Sequence, residues 1–433
     1  MISVDVKIAS KAIARRLESI LPELIHPSQN GFIKGRSILD AVRTIDDILE
    51  FAKVTECCGI LLAIDFEKAF DSLNHSFLFK VLEKLNFGEY FMQWIKTFYT
   101  DISSCVLNNG FTTDLFSVRR GVRQGDPLSP LLFILALEML ACQIRNDQSI
   151  KGIIVKDEEI KLTLFADDMT CFLRDIRSYR QLCVILHLFS KYSGLQVNND
   201  KSEIFAMGPH RLDEASFSHK VCTSIKILGI VFDYHIPSRT KANFDLIFKS
   251  IQEMLNMWKW RGLTLIGKIE IVKSLIIPKF LSKAALISVT DDLVQEINKL
   301  IYRFIWKGTD KIKRCALIND IEDGGLKMLD IQSMILARRV LIFKRYVDNN
   351  YESPWKVILD YFLSGVGEKF ILQCNFDTRK LPIYLPVFYK ECLNAWTTLN
   401  EVSVLSYEDV VNQIIWNNKN ITIGKASIFE KKR

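Results

Sequence analysis

The chain has 433 residues, of which 49% are hydrophobic and 25% charged, with a formal net charge of +7. These values exclude a disordered, fibrous or small disulfide-stapled protein and leave room for two to four units with cores of their own. The ten cysteines form no C-x-x-C pair and no Cys/His zinc spacing, so they read as reduced thiols of an intracellular protein; the positive charge is compatible with a polyanionic partner without requiring one.

The apolar residues Ile8, Ile13, Leu17, Ile20 and Leu24 recur at helical spacing, and Pro22 and Pro27 bracket the end of that helix. A Gly-bearing loop from Asn30 to Arg36 leads to a second amphipathic stripe, Ile38, Val42, Ile45, Leu49 and Ala52. Gly59 to Phe66 is a short continuous apolar run ending on an acid, the pattern of a strand buried on both faces. Helices are expected at His75 to Leu85 and Tyr90 to Tyr99, then two strands, Ser104 to Asn108 and Thr112 to Val118, around the hairpin signal Asn109-Gly110. A helix over Pro127 to Arg145 is expected to use Asp126 as N-cap and Pro127 as its first residue. Its apolar run, Leu128 to Cys142, is interrupted by Glu138 and is shorter than the roughly 20 residues a bilayer span takes. Neither a membrane span nor a secretory signal is expected.

Ile160 to Phe165 and Met169 to Leu173 are β-prone runs separated by Ala166-Asp167-Asp168. A helix over Tyr179 to Tyr192 and strands at Glu203 to Ala206 and Lys226 to Phe232 follow, and the pattern turns helical from about Arg239. Basic residues crowd that later region: Lys241, Lys249, Lys259, Arg261, Lys268, Lys273, Lys279 and Lys283, then Arg303, Lys307, Lys311, Lys313 and Arg314. Gly262 to Lys268 has P-loop spacing, but Ile269 stands where a Ser or Thr is required and no strand precedes it.

One aspartate thus ends a buried strand, and two more sit at a tight turn roughly a hundred residues later. Taken singly, each is an ordinary strand-end or turn residue. If the two elements are neighbouring antiparallel strands, three negative charges converge and call for a cation, and hard oxygen donors suit Mg²⁺.

The segments Ala63-Ile64-Asp65-Phe66-Glu67-Lys68-Ala69-Phe70-Asp71, Arg120-Gly121-Val122-Arg123-Gln124-Gly125-Asp126-Pro127 and Phe165-Ala166-Asp167-Asp168 occur in that order. They resemble motifs A, B and C of reverse transcriptases, and Phe-Ala-Asp-Asp resembles the non-LTR, LINE-type class. Gly194 to Ser202 is similar to motif D, Leu228-Gly229-Ile230 to the primer-grip motif E, and Gln29 to Arg36 to the fingers motif before A. The resemblance covers residues 4 to 235.

It implies an α+β right-hand polymerase. Partial helical fingers would span 1–58, an antiparallel-sheet palm 59–235, an all-helical thumb 236–348 and an incomplete C-terminal appendage 349–433. It implies a reverse transcriptase that extends a DNA primer on an RNA template with deoxynucleoside triphosphates and two Mg²⁺ ions, Mn²⁺ being a possible substitute. Asp65, Asp167, Asp168 and the Phe66 carbonyl would hold the metals. Phe70 would lie under the incoming sugar, Gln124 and Gly125 against the nascent base pair, and Lys201 near the leaving pyrophosphate. Lys34, Arg36, Leu228, Gly229 and Lys268 would meet template or primer, although Lys34 and Arg36 fit an ordinary basic loop equally well. No membrane partner is implied, and nuclear as well as cytoplasmic residence is expected.

The family usually places an Arg-Pro-Ile-Ser segment ahead of the residues matching Met1 to Ile8, and Ile415 to Ile421 resembles a segment downstream of the thumb, so the sequence reads as part of a larger polyprotein. A fragment that binds nucleic acid without catalysis is the alternative reading.

Overall fold

The computed structural model describes residues 3–209, 212–374 and 378–399, with the backbone of 422–423 and 426–427; the Ile415 to Ile421 segment lies outside the described residues. The chain divides into two compact units, Met1–Gly229 with Ser353–Val357, and Ile230–Glu352 with Ile358–Arg433.

The first unit opens with α1 (Val4–Leu24) and α2 (Ile38–Val54), the latter started by a capping box between Ser37 and Asp40. Pro22 lies inside the last turn of α1 and does not end it. Next come β1 (Gly59–Ile64), the single-turn α3 (Ala69–Ser72), α4 (His75–Lys84) and α5 (Glu89–Tyr99). The expected two-stranded hairpin is four two-residue strands: β2 (Ser103–Ser104), β3 (Leu107–Asn108), β4 (Phe111–Thr112) and β5 (Phe116–Ser117). β3 pairs with β4 and β2 with β5, and the turn carries φ of 48° at Asn109 and 85° at Gly110, the left-handed pair that makes Asn-Gly a hairpin signal.

Then α6 (Ser129–Asn146) runs through the core, and Leu131 to Leu137 are at most 4% exposed. Its all-round apolarity is that of a helix covered on every side: α1, α4 and α7 (Ile176–Ser193) pack against it. α6 begins two residues later than expected, with Leu128 at the N-cap and Pro130 in the first turn. Asp126 instead accepts from the Ser10 hydroxyl of α1 and from Ser129 Oγ at 3.0 Å, so it ties two helices together rather than capping one. β6 (Ile153–Val155) and β7 (Glu158–Ile160) form a separate hairpin.

The central sheet joins β1 to β8 (Leu162–Phe165), β9 (Asp168–Leu173), β10 (Glu203–Met207) and β11 (Lys220–Cys222), in the order β11-β10-β1-β9-β8. Every pairing is antiparallel except β10 with β11, which is parallel. The antiparallel-sheet palm expected from the sequence is present, with one parallel pairing at this edge. β1 lies in the middle, and Leu61 and Leu62 are 0% exposed, which accounts for an apolar run without alternation. Short strands β12 (Ile225–Ile227) and β13 (Ile230–Phe232) flank Leu228-Gly229.

The second unit is helical: α8 (Ile236–Lys259), α9 (Leu265–Ile271), a π-turn over Val272–Ile276, α10 (Ile277–Ala284), α11 (Asp291–Trp306), α12 (Arg314–Ile318), α13 (Ile331–Val347) and α15 (Val387–Leu399). The helix Pro354–Leu363, α14, is shared between the units. Of the described residues of the expected C-terminal appendage, Ser353–Val357 groups with the first unit and those from Ile358 to 399 with the helical one. α15 packs along α13, where Arg339 bonds Glu391 at 2.9 Å and Phe343 meets Trp396 edge-on. Trp355 is fully buried in the first unit, its indole N–H donating to Asp40 at 2.9 Å. Among the described residues no helix is long and apolar enough to cross a membrane.

Candidate active site

Asp65 stands one residue past the C-terminal end of β1, and the chain stays in sheet-like pairing beyond it. The Asn198 N–H donates to the Asp65 carbonyl at 2.8 Å, the Glu67 N–H to the Gln196 carbonyl at 2.8 Å, and Phe66 bridges Val197. The Asp65 N–H donates to Ser202 Oγ at 3.2 Å, and Ser202 is 0% exposed. The segment Gln196 to Ser202 therefore fixes the backbone that carries the first aspartate. β8 and β9 meet at a tight turn with Phe165 opposite Asp168. Because β9 also pairs with β1, setting Met169 opposite Ile64, the turn acids and Asp65 share one end of the sheet.

Their electrostatics record the convergence. Burial, then the neighbouring charges of Asp167 and Asp65, push the Asp168 carboxyl up to about 6. Asp167 is raised too, first by burial and then by Asp65, with a backbone hydrogen bond opposing. Lys201 Nζ lies 3.9 Å from Asp65 Oδ2, both side chains being well exposed. Among the described residues no group of three His, Cys, Asp or Glu side chains is already drawn into a metal cage. The donor set fits a Mg²⁺ site of the open kind, in which one or two carboxylates hold the ion and substrate phosphates complete its shell.

Around the acids, Phe70 stacks on Phe133 of α6 at a centroid separation of 4.4 Å and meets Phe32 edge-on at 6.3 Å. Phe133 is 0% exposed and Phe70 half-buried, so the plate is backed by the core. The segment Arg120 to Gln124 is strapped to α3: Gly121 N–H donates to the Leu73 carbonyl and Val122 N–H to that of Phe70, both at 2.7 Å. Gly121 has φ +87°, and a Cβ there would come within 2.7 Å of the Asp71 carbonyl oxygen. A His75 ring nitrogen donates to the Gly121 carbonyl at 2.8 Å, and Gln124 Nε2 donates to Asp71 Oδ1 at 3.3 Å. An open groove of about 1250 Å³ lies beside them, lined by Arg119, Arg120, Arg123, Gln124 and residues of β2 and β5.

Residues 1–232 match the family model described as reverse transcriptase (RNA-dependent DNA polymerase). The chain belongs to the reverse transcriptase family. A Xenopus laevis protein named transposon TX1 uncharacterized 149 kDa protein is 28% identical over 443 residues, covering 96% of this chain and 33% of its own length. The Pol polyprotein of the type-1 retrotransposable element R2 of Popillia japonica is 25% identical over 351 residues, covering 76% and 47%. The chain thus spans between a third and about a half of these relatives. Among solved structures, telomerase from Candida albicans covers 82% of this chain and 54% of its own, with a TM-score of 0.43 and 14% identity. The LINE-type resemblance agrees with the transposable-element relatives.

Of the reverse transcriptase residues named from sequence, the structure gathers Asp65, Asp167, Asp168 and Lys201 at one end of the sheet, with Phe66 buried behind them. Phe70, Gln124 and Gly125 lie on or next to the strap between α3 and α6. Gly125 has φ +79° and nothing within 4 Å of an added Cβ, so its backbone conformation, not crowding within this chain, is what asks for glycine. Leu228 and Gly229, at φ 51° and 77°, form the turn between β12 and β13. Lys34 is exposed.

Two basic residues expected to meet nucleic acid are committed elsewhere. The Arg36 guanidinium donates to the carbonyls of His26 (2.7 Å), Gln29 (2.8 Å) and Ile25 (2.9 Å), and more distantly to Pro22. It closes the C-terminal end of α1, where helix carbonyls lack partners. Lys268 is 8% exposed, and its ammonium donates to the Ile305 carbonyl at 2.7 Å near the end of α11, with the Phe304 ring beside it. In both, the charge is engaged by backbone carbonyls. Sequence reasoning missed Ser202 and His75 as supports of the site. Ser202 sits inside the motif D resemblance; a lone His at a helix start gave no signal.

Proposed function

We propose that this chain is the core of an RNA-directed DNA polymerase of a retrotransposon, extending a DNA primer on an RNA template by two-metal nucleotidyl transfer. The observation that carries the reading is the convergence of Asp65, Asp167 and Asp168 at one end of the sheet, where burial first, and then neighbouring carboxylate charge, raises both turn acids. Asp65 and Asp167 would hold both ions, with Asp168 as third acid and the Phe66 carbonyl as a further donor. When bound, Mg²⁺ supplies stabilisation of the attacking and leaving oxygens of an in-line phosphoryl displacement.

The protein's own part is positioning and charge. Phe70, supported from behind by Phe133, would lie flat under the incoming sugar and discriminate sterically against a 2′-hydroxyl. Gln124, held by Asp71, would face the nascent base pair beside the open backbone of Gly125. Lys201, with its ammonium in solvent next to Asp65, would offer a positive charge and a proton to the departing pyrophosphate. Lys34 would remain free for template phosphates, whose recognition is insensitive to sequence. Retrotransposition would bring such an enzyme to nuclear DNA.

Primer extension on poly(rA)/oligo(dT) with Mg²⁺ tests the reading, run beside Asp167→Asn. Incorporation by the parent that the variant loses supports it. Duplex binding without incorporation by the parent would replace it with a non-catalytic nucleic-acid binder.

A further inference from the structure

The turn that presents Asp167 and Asp168 is built on an unfavourable residue. Ala166 has φ +58°, a left-handed conformation that costs an L-residue with a Cβ and that alanine has no polar side chain to offset. It also sits directly before two like-charged carboxylates. Something must hold it there.

The holding group is the side-chain amide of Gln29. Its Oε1 accepts the Ala166 N–H at 3.0 Å and the Gly31 N–H at 2.8 Å, and its Nε2 donates to the Ala166 carbonyl at 3.2 Å. One planar amide thus satisfies both backbone groups of the strained residue. Gln29 is 1% and Ala166 6% exposed, so no water competes. Gln29 is itself fixed. The Leu164 N–H donates to the Ser28 carbonyl and the Asn30 N–H to the Leu164 carbonyl, both at 2.8 Å, laying residues 28–30 parallel to β8. Arg36 holds the Gln29 carbonyl at 2.8 Å. A Cβ on Gly31 would fall 2.3 Å from the Ala166 nitrogen, so strand and turn meet backbone to backbone.

We infer that Gln29 is a positioning residue that locks Ala166 in its left-handed conformation and so aims the two turn aspartates. Glutamine is the side chain the geometry requires. Asparagine is one methylene shorter, while glutamate has no N–H for the Ala166 carbonyl and adds a fourth carboxylate beside three. The inference rests on the polymerase reading for its consequence, but the clamp itself can be measured without catalysis.

Gln29→Met keeps the volume and removes all three hydrogen bonds. In primer extension it is expected to lower kcat about tenfold, as loss of a device offsetting backbone strain would, with the KM for deoxynucleoside triphosphate within about twofold of the parent. In an Ala166→Gly background, where positive φ carries no steric cost, the same substitution should cost less than about threefold. Equal losses in the two backgrounds would mean that Gln29 only packs, and would overturn the inference, as would an unchanged kcat. Should Gln29→Met fold poorly alone, the glycine background restores folding if the clamp is correct and does not if Gln29 only fills space. Amide exchange at Ala166 separates the clamp from the polymerase reading. A rate about tenfold faster in Gln29→Met, with Leu62 in β1 still protected, supports the clamp even where neither protein extends a primer; equal rates refute it.

Discussion

In the N-terminal unit Lys201 ends in solvent 3.9 Å from Asp65; in the helical unit Lys268 ends inside the fold on the Ile305 carbonyl. The family resemblance places Lys201 near the pyrophosphate and Lys268 near template or primer. Lys201 follows a turn that is pinned to the strand carrying Asp65, so its stem has no apolar surface to cross. Lys268 lies in the first turns of α9, which packs against α11, and there a four-carbon stem is long enough to reach a helix-end carbonyl across the interface. The same contrast separates exposed Lys34 from Arg36, which gathers the carbonyls at the end of α1. In each pair one cation is exposed to solvent and the other ends on backbone carbonyls. Other members of the basic run in the helical unit also have partners within the chain: Arg261 lies over Trp258, Lys273 pairs with Glu270, Lys283 bonds the Asn243 carbonyl, and Arg314 pairs with Asp310 over Tyr302.

The largest test of this contrast is on the acids. Asp167→Asn should reduce primer extension by roughly a thousandfold or more while leaving the thermal transition unchanged or raised, since it removes one of three like charges. Activity above a tenth of the parent would sink the two-metal site. Next, Arg36→Met should destabilise the N-terminal unit by about 2–3 kcal/mol, since several charge-assisted hydrogen bonds go at once. Lys34→Met should stay within about 0.5 kcal/mol and instead weaken template binding. Urea titrations of both, with binding to an RNA/DNA duplex, would break the comparison if the two variants exchanged effects.

Lys201→Ala is expected to lower kcat about tenfold or somewhat more with the urea midpoint unmoved, the exposed ion pair with Asp65 contributing little to folding. Lys268→Met should do the reverse, costing about 1 kcal/mol of stability for the stranded Ile305 carbonyl without altering the salt dependence of duplex binding. The smallest effect is on pH. The Asp168 carboxyl is raised to about 6 in the folded protein, so below that value a proton competes with the metal. The Mg²⁺ concentration for half-maximal activity should climb as pH falls from 7 to 5 and level off above 7. An unchanged value over that span would remove Asp168 from the metal site.

The motif segments were legible because their spacing along β1 and the β8–β9 turn is local: a buried strand ending on an acid, then a hairpin carrying two more. The Asn109-Gly110 hairpin was legible for the same reason, although its strands proved shorter and broken. The start of α6 was misplaced because Asp126 looks like an N-cap in sequence, whereas Ser10 of α1, more than a hundred residues away, takes its carboxylate. The parallel edge strand β11 is a short run, half-exposed in part, with no distinctive periodicity. Nor could spacing show that residues 387–399 pack along α13, since that contact joins segments about fifty residues apart.

By itself the sequence determined the pattern on which the proposed chemistry rests: three aspartates, their order, and the apolar runs that set them at the ends of buried strands are properties of local composition and period. Only the tertiary structure decided which polar side chains remain available for that chemistry. Whether Arg36, Lys268, Ser202 or Gln29 meets solvent, a carbonyl or a strained turn depends on groups brought together by folding, and a hydrogen bond between distant residues leaves no period in the chain.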